Sequence, residues 1–127
     1  MTRQVLLIED EPNIIEAISF ILSRDGWQVR SHAGGTGAME AVRTRRPDLI
    51  ILDVMLPDRS GFEILGDIRA DPELGATPVL MLTARGQRKD REMAERAGAS
   101  RFMTKPFSNG EMLEAVRALA GGPDAPA

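Results

Sequence analysis

The sequence predicts an α/β domain in which a parallel β-sheet lies between two layers of helices. Short apolar runs alternate five times along the chain with stretches of helical periodicity, an order typical of strands joined by crossover helices. Three of the runs are apolar throughout, as expected for strands buried on both faces of a sheet. With 127 residues and no cysteine, the chain is long enough to bury one hydrophobic core without disulfides.

The predicted strands differ in their apolar pattern. Residues 5–8, 49–52 and 79–82 are continuously apolar, which predicts positions in the centre of the sheet. Residues 27–32 alternate between apolar and polar side chains, so we expect the second strand at an edge. The five strands are predicted at residues 5–8, 28–31, 49–52, 78–82 and 101–103.

The predicted helices are supported by signals at their amino-terminal ends. Pro12 stands in the first turn of the first helix, where a proline loses no helical hydrogen bond. Two further helices begin with the capping-box pattern, in which a serine and a glutamate satisfy free backbone N–H groups reciprocally. These pairs are Ser60 with Glu63 and Ser108 with Glu111. The five helices are predicted at residues 12–24, 36–46, 61–70, 86–97 and 108–120.

Composition excludes several classes of function. Sixteen basic and 19 acidic residues give a formal net charge of −3, which argues against direct nucleic-acid binding by this domain. No apolar run approaches the ~20 residues of a membrane span, and the lack of cysteine fits a reducing compartment. We therefore expect a cytoplasmic protein that does not bind membranes. Residues 1–120 are expected to form the domain, and residues 121–127 a disordered tail or the start of a linker.

Polar residues follow the ends of four predicted strands. Glu9 and Asp10 follow the first strand, Asp53 the third, Thr83 the fourth and Lys105 the fifth. In doubly wound sheets, ligands bind outside the carboxyl ends of the strands, where the strand order reverses. We therefore expect these five residues to face one crevice.

The chemistry of these residues predicts phosphoryl transfer. Glu9, Asp10 and Asp53 would repel one another unless a cation joined them, and hard oxygen ligands favour Mg²⁺, with Mn²⁺ as an alternative. Lys105 adds a positive charge and Thr83 a hydroxyl donor, so that a phosphoryl group would meet charge or a donor on every side. Asp53 directly follows an apolar central strand and is the candidate nucleophile, because carboxylates can form aspartyl phosphates.

Four segments of the chain resemble the receiver domain of two-component response regulators. They are VLLIEDEP at residues 5–12, DLIILDVMLPDRSG at 48–61, PVLMLTA at 78–84 and FMTKPF at 102–107. The resemblance covers residues 3 to 120. It implies a flavodoxin-like (CheY-like) three-layer sandwich with strand order 2-1-3-4-5. It also implies phosphorylation of Asp53 by a sensor histidine kinase or a histidine phosphotransferase.

The resemblance also implies roles for individual residues. Asp10, Asp53 and the backbone carbonyl of Met55 would bind Mg²⁺ directly, and Glu9 would act through a metal-bound water. The groups implied to hold the phosphoryl oxygens are Thr83, Lys105 and the backbone N–H of Ala84.

Further implied roles concern the response to phosphorylation. Thr83 would move toward the phosphoryl group and Phe102 would turn into the vacated space. This switch would alter the face formed by helix 86–97, strand 101–103 and helix 108–120. The Lys105–Pro106 peptide resembles the cis peptide of the family. Met55 and Arg85 are expected to tune the lifetime of the phosphate through water access.

Glu9, in place of the commoner Asp, resembles the OmpR/PhoB-like branch, whose output is a winged-helix DNA-binding domain. The chain is accordingly expected to be a stand-alone receiver or the receiver part of such a regulator. It would signal to a downstream protein partner or to its own output domain. Ser100 and Arg101 stand where that branch often has an acidic pair for dimer salt bridges, which argues against the usual dimer through helix 86–97, strand 101–103 and helix 108–120. We expect either a monomer or a phosphorylation-dependent homodimer.

Two other functions compete with a receiver. Phosphatases of the haloacid dehalogenase type also phosphorylate an aspartate at a strand end, but they need a second Asp where this chain has Met55. A nucleotide- or flavin-binding module is suggested by the glycine-rich residues 34–37, although Glu40 stands where that fingerprint needs Gly or Ala. The interpretation as a receiver implies a switch that assists its own phosphorylation and dephosphorylation and is not a turnover enzyme.

Overall fold

A computed structural model describes residues 3–84 and 88–121. The strands in these ranges are β1 (Gln4–Ile8), β2 (Gln28–His32), β3 (Leu49–Asp53), β4 (Val79–Thr83) and β5 (Arg101–Thr104). The helices are α1 (Pro12–Arg24), α2 (Ala38–Arg45), α3 (Gly61–Ala70), α4 (Arg88–Ala97) and α5 (Asn109–Ala120). Strands and helices alternate, as the sequence predicted.

The strands form one parallel sheet of order β2-β1-β3-β4-β5. This order confirms the flavodoxin-like fold and the edge position of β2. The register places Asp53 opposite Leu82, so the carboxyl ends of β3 and β4 lie side by side. At the outer edge, Thr83 pairs with Thr104. The strand order reverses between β1 and β3, and the carboxyl ends of these two strands border the same crevice.

Each face of the sheet carries its own apolar core. Ile50 and Leu52 of β3 pack against α2, α3 and α4, whereas Leu49 and Ile51 pack against α1 and α5. This division follows from the alternation of side chains along a strand. All four side chains are fully buried, which confirms the central position predicted for this strand.

One of the two predicted capping boxes forms completely, and the other forms only in part. Ser108 and Glu111 form the predicted reciprocal capping box. At α3 the Ser60 hydroxyl instead accepts a hydrogen bond from the N–H of Phe62. The predicted return bond from Glu63 is wrong, because its carboxylate lies 3.6 Å from Arg59 Nε in an ion pair.

Two predictions fall partly on residues that are not described. The predicted start of the fourth helix at 86 lies outside the described ranges, and residues 122–127 of the predicted tail do as well. In the described ranges, no helix combines the length and the apolar character needed to cross a membrane.

Candidate functional site

The carboxyl edge of the sheet brings charged side chains from three strand ends together. Glu9 and Asp10 follow β1, Asp53 ends β3, and Lys105 follows β5. Lys105 Nζ lies 3.0 Å from Glu9 Oε2 and 3.2 Å from Asp53 Oδ2. Thr83 ends β4 between β3 and β5 and is 1% exposed. These residues therefore share the crevice that the sequence predicted.

The acidic residues form a cluster suited to a cation. Glu9, Asp10 and Asp53 each place a carboxylate oxygen within 4.8 Å of the oxygens of the other two. Glu9 and Asp53 are buried, and in the described part of the chain Asp10 Oδ1 is buried without a hydrogen-bond partner. Such oxygens are costly to desolvate unless a cation or a donor reaches them. The donor set fits Mg²⁺, which prefers oxygen ligands and retains several waters.

Glu9 is the acid most affected by its surroundings. Burial raises the pKa of its carboxyl, and the hydrogen bond with Asp53 raises it further, while Lys105 opposes both effects. Its Oε1 accepts hydrogen bonds from the N–H groups of Asp10 (3.1 Å) and Glu11 (3.2 Å). Glu9 therefore also holds the backbone at the start of α1.

Lys105 supplies the positive charge of the crevice. Burial alone would lower the pKa of this ammonium, but its contacts with Glu9 and Asp53 outweigh that effect and the pKa is raised. The Lys105–Pro106 peptide is cis. Glu11 Oε1 lies 3.6 Å from Lys105 Nζ, a contact that was not predicted from the sequence. Its signal was the third acidic residue in a row after β1.

Hydrogen bonds to both carboxylate oxygens hold Asp53 in place. Its Oδ1 accepts a hydrogen bond from the N–H of Met55 at 3.1 Å, and its Oδ2 accepts one from Lys105. Gly61, the first residue of α3, packs directly on this strand end. A Cβ at this position would lie 2.2 Å from the Asp53 carbonyl oxygen. A glycine is needed there for the helix to start so close to the site.

The other predicted residues lie around this centre. The side chain of Met55 is 59% exposed, and Ala84 directly follows Thr83 at the end of β4. Phe102 is half-buried against the core beneath α4, with the Arg91 guanidinium 5.6 Å from its ring centroid. The sequence did not predict the contact of Arg91 with Phe102, since this contact depends on how α4 lies beside β5. Arg85 lies outside the described residues.

Comparison with known proteins agrees with this geometry. The chain is 42% identical over 115 residues to the probable transcriptional regulatory protein TcrX of Mycobacterium tuberculosis, covering 91% of this chain and 48% of that protein. It is 36% identical over 119 residues to the alkaline phosphatase synthesis transcriptional regulatory protein PhoP of Bacillus subtilis, covering 94% and 49%. The chain thus spans about half the length of these relatives.

A solved structure with the same fold is the receiver domain of a sensor histidine kinase from Pseudomonas aeruginosa, with magnesium coordinated in its active site cleft. It matches with a TM-score of 0.87 and 30% identity, covering 96% of this chain and 100% of that one. The sequence profile of the response regulator receiver domain matches residues 5–117, which include every residue of the crevice. The chain therefore belongs to the family of response regulator receiver domains of two-component signalling.

Proposed function

We propose that this receiver accepts a phosphoryl group on the Asp53 carboxylate in a Mg²⁺-dependent step. The observation that carries the proposal is the pairing of a buried carboxylate with one lysine amid two further carboxylates. Asp10, Asp53 and the Met55 carbonyl would hold the ion, and Glu9 would act through one of its waters. The bound ion supplies charge neutralisation for phosphoryl transfer.

The proposed donor is a phosphohistidine of a sensor histidine kinase or a histidine phosphotransferase. The P–N bond to the histidine breaks while a P–O bond to Asp53 forms, and the histidine keeps the electron pair of the broken bond. Lys105, Thr83 and the N–H of Ala84 would hold the phosphoryl oxygens. Positioning and charge neutralisation are the main requirements of such a transfer.

The proposed output is a change in the face formed by α4, β5 and α5. Thr83 would move toward the phosphoryl group, and Phe102 would turn inward from its half-buried position. A downstream protein or an attached output domain would read this face. The named relatives are transcriptional regulatory proteins, which supports a winged-helix regulator of the OmpR/PhoB-like branch. A stand-alone receiver is the alternative. Either form would be a monomer or a phosphorylation-dependent homodimer.

We further propose a cytoplasmic switch that assists its own phosphorylation and dephosphorylation without turning over a substrate. Met55, whose side chain is largely exposed beside Asp53, would tune phosphate lifetime by controlling water access, together with Arg85. Equal rates of loss of the phosphoryl group in wild type and Met55→Asn would contradict this role.

The decisive experiment is incubation with acetyl phosphate and Mg²⁺, followed by intact-mass measurement. We expect one phosphoryl adduct on wild type and none on Asp53→Asn, because the amide cannot accept the group. Glu40→Gln, on an exposed position of α2, is the control and should be phosphorylated like wild type. An adduct on Asp53→Asn, or none on wild type, would remove Asp53 from this role.

A further inference from the structure

The loop between β3 and α3 is closed at its base. Met55 pairs with Ser60 in an isolated antiparallel bridge. The N–H of Gly61 donates to the carbonyl of Val54 at 2.9 Å. The residues between Met55 and Ser60 therefore form a short excursion, within which Arg59 forms ion pairs with Glu63 and Asp67 of α3.

Asp58 attaches the tip of this loop to the loop before α2. Its Oδ1 accepts a hydrogen bond from the N–H of Gly35 at 2.6 Å. Its Oδ2 accepts one from the N–H of Thr36 at 2.8 Å and another from the Thr36 hydroxyl. These hydrogen bonds hold the pKa of Asp58 well below its usual range, with the largest effect from the Thr36 hydroxyl and smaller ones from the two N–H groups. Successive backbone N–H groups that converge on a carboxylate form an anion-binding nest.

The glycines of residues 34–37 allow the two loops to approach closely. A Cβ on Gly35 would lie 2.5 Å from the Cβ of Arg59, too close for any side chain. Gly34 has a φ of +82°, in the left-handed region that favours glycine. The glycine-rich segment, which in the sequence suggested phosphate binding, here binds a carboxylate of its own chain.

We infer that Asp58 is a positioning residue for the metal, since it fixes the loop that presents the Met55 carbonyl. This inference rests on the proposed Mg²⁺ site. With its base closed by Ser60 and its tip held by Asp58, the loop needs little further ordering when an ion binds. Without the attachment at Asp58, metal binding would have to order more of the loop, and affinity would fall. Groups that orient metal ligands in this way typically change affinity by about 10-fold or more.

The test is calorimetric titration of the 127-residue protein with Mg²⁺ alone. We expect Asp58→Asn to bind Mg²⁺ about 10-fold more weakly than wild type. The amide nitrogen of Asn would take the place of one carboxylate oxygen and could not accept a hydrogen bond from the N–H group there. Gly35→Ala keeps every charge but forces the loops apart, and should weaken binding similarly. Glu73→Gln removes one negative charge from an ion pair with Arg46 on the surface and should bind like wild type.

The outcomes separate this inference from the proposed site. Wild type that does not bind Mg²⁺ overturns the proposed metal site and the inference with it. Wild-type affinity in both loop variants overturns the inference alone. Weak binding by Asp58→Asn with normal binding by Gly35→Ala also overturns it, because the lost charge would then explain the effect.

A metal-free measurement tests the attachment directly. Amide hydrogen exchange at Thr36 and Met55 should be faster in Asp58→Asn than in wild type, while the exchange of the core strands is unchanged. Equal rates at Thr36 and Met55 would overturn the inference even if the fold of the variant is intact.

Discussion

The two ends of the sheet differ in the groups that surround their charged side chains. At the amino end, Arg69 donates hydrogen bonds to the carbonyls of Gly98 (2.8 Å), Gly75 (3.1 Å) and Thr77 (2.7 Å), so the charge of this guanidinium meets neutral acceptors. At the carboxyl end, several carboxylates converge on the single ammonium of Lys105. The three carbonyls that Arg69 contacts are satisfied within the fold. Among the described residues of the crevice, the carboxylates outnumber the one ammonium, and a cation can neutralise this excess negative charge.

The largest effect on stability is expected at the amino end. Arg69→Ala removes the donor for three carbonyls in half-buried turns, and should lower the free energy of unfolding by about 3 kcal/mol. Urea denaturation measures this loss, and Arg69→Lys should fall between wild type and Arg69→Ala. Mg²⁺ affinity should stay at the wild-type value. A loss below about 1 kcal/mol, or weaker Mg²⁺ binding, would contradict the contrast between the two ends.

A smaller effect of opposite sign is expected at the carboxyl end. In the described part of the chain, Asp10 has no ion pair, while its carboxylate lies within 4.8 Å of two others. Asp10→Asn should raise the stability of the metal-free protein by about 1 kcal/mol, the Coulomb energy of two charges about 4 Å apart in a water-like dielectric.

The same variant should lose the stabilisation that Mg²⁺ gives to wild type. Parallel urea denaturations with and without Mg²⁺ measure both quantities. Destabilisation of the metal-free Asp10→Asn protein would show that the cluster is already satisfied without a cation.

The smallest effect is a pH dependence contributed by Glu9. Its pKa is raised by burial and by Asp53, and Lys105 offsets part of that shift. A carboxyl with a raised pKa binds its proton more tightly in the folded state. Its stabilising contribution is therefore present below the unfolded pKa of about 4.3 and is lost as pH rises through the folded pKa.

Unfolding of metal-free wild type and Glu9→Gln from about pH 4 to about pH 7 tests this dependence. The other titrating groups are common to both proteins and largely cancel in the difference. Wild type should lose stability relative to the variant as pH rises. A difference that is constant across the range, or that grows in favour of wild type, would show that Lys105 fully compensates the burial of Glu9.

Much of the site could be predicted because parallel strands end at the same edge of a sheet. Asp53 and Lys105 are 52 positions apart in the chain, yet the pattern of strand ends predicts that they face one crevice. Contacts made by loops could not be predicted in this way. The attachment of Asp58 to Gly35 and Thr36 depends on two loop paths, which no apolar periodicity describes.

The capping signals at the two serines show the same division. Ser108 and Glu111 cap α5 as predicted, because no cation in the described residues competes for the glutamate. At Ser60 the same motif fails to close, since Arg59 lies within reach of Glu63. A local motif thus predicts a local contact until a neighbouring charge offers a better one.

The sequence by itself determined the alternation of elements, the central strands and the residues at the strand ends, because these follow from periodicity and chain order. Only the tertiary structure decided how the charges balance: which carboxylates reach Lys105, which oxygen remains without a partner, and which carboxylate the glycine-rich loop binds. These outcomes depend on distances and burial between segments remote in sequence, and Coulomb energies change steeply with both.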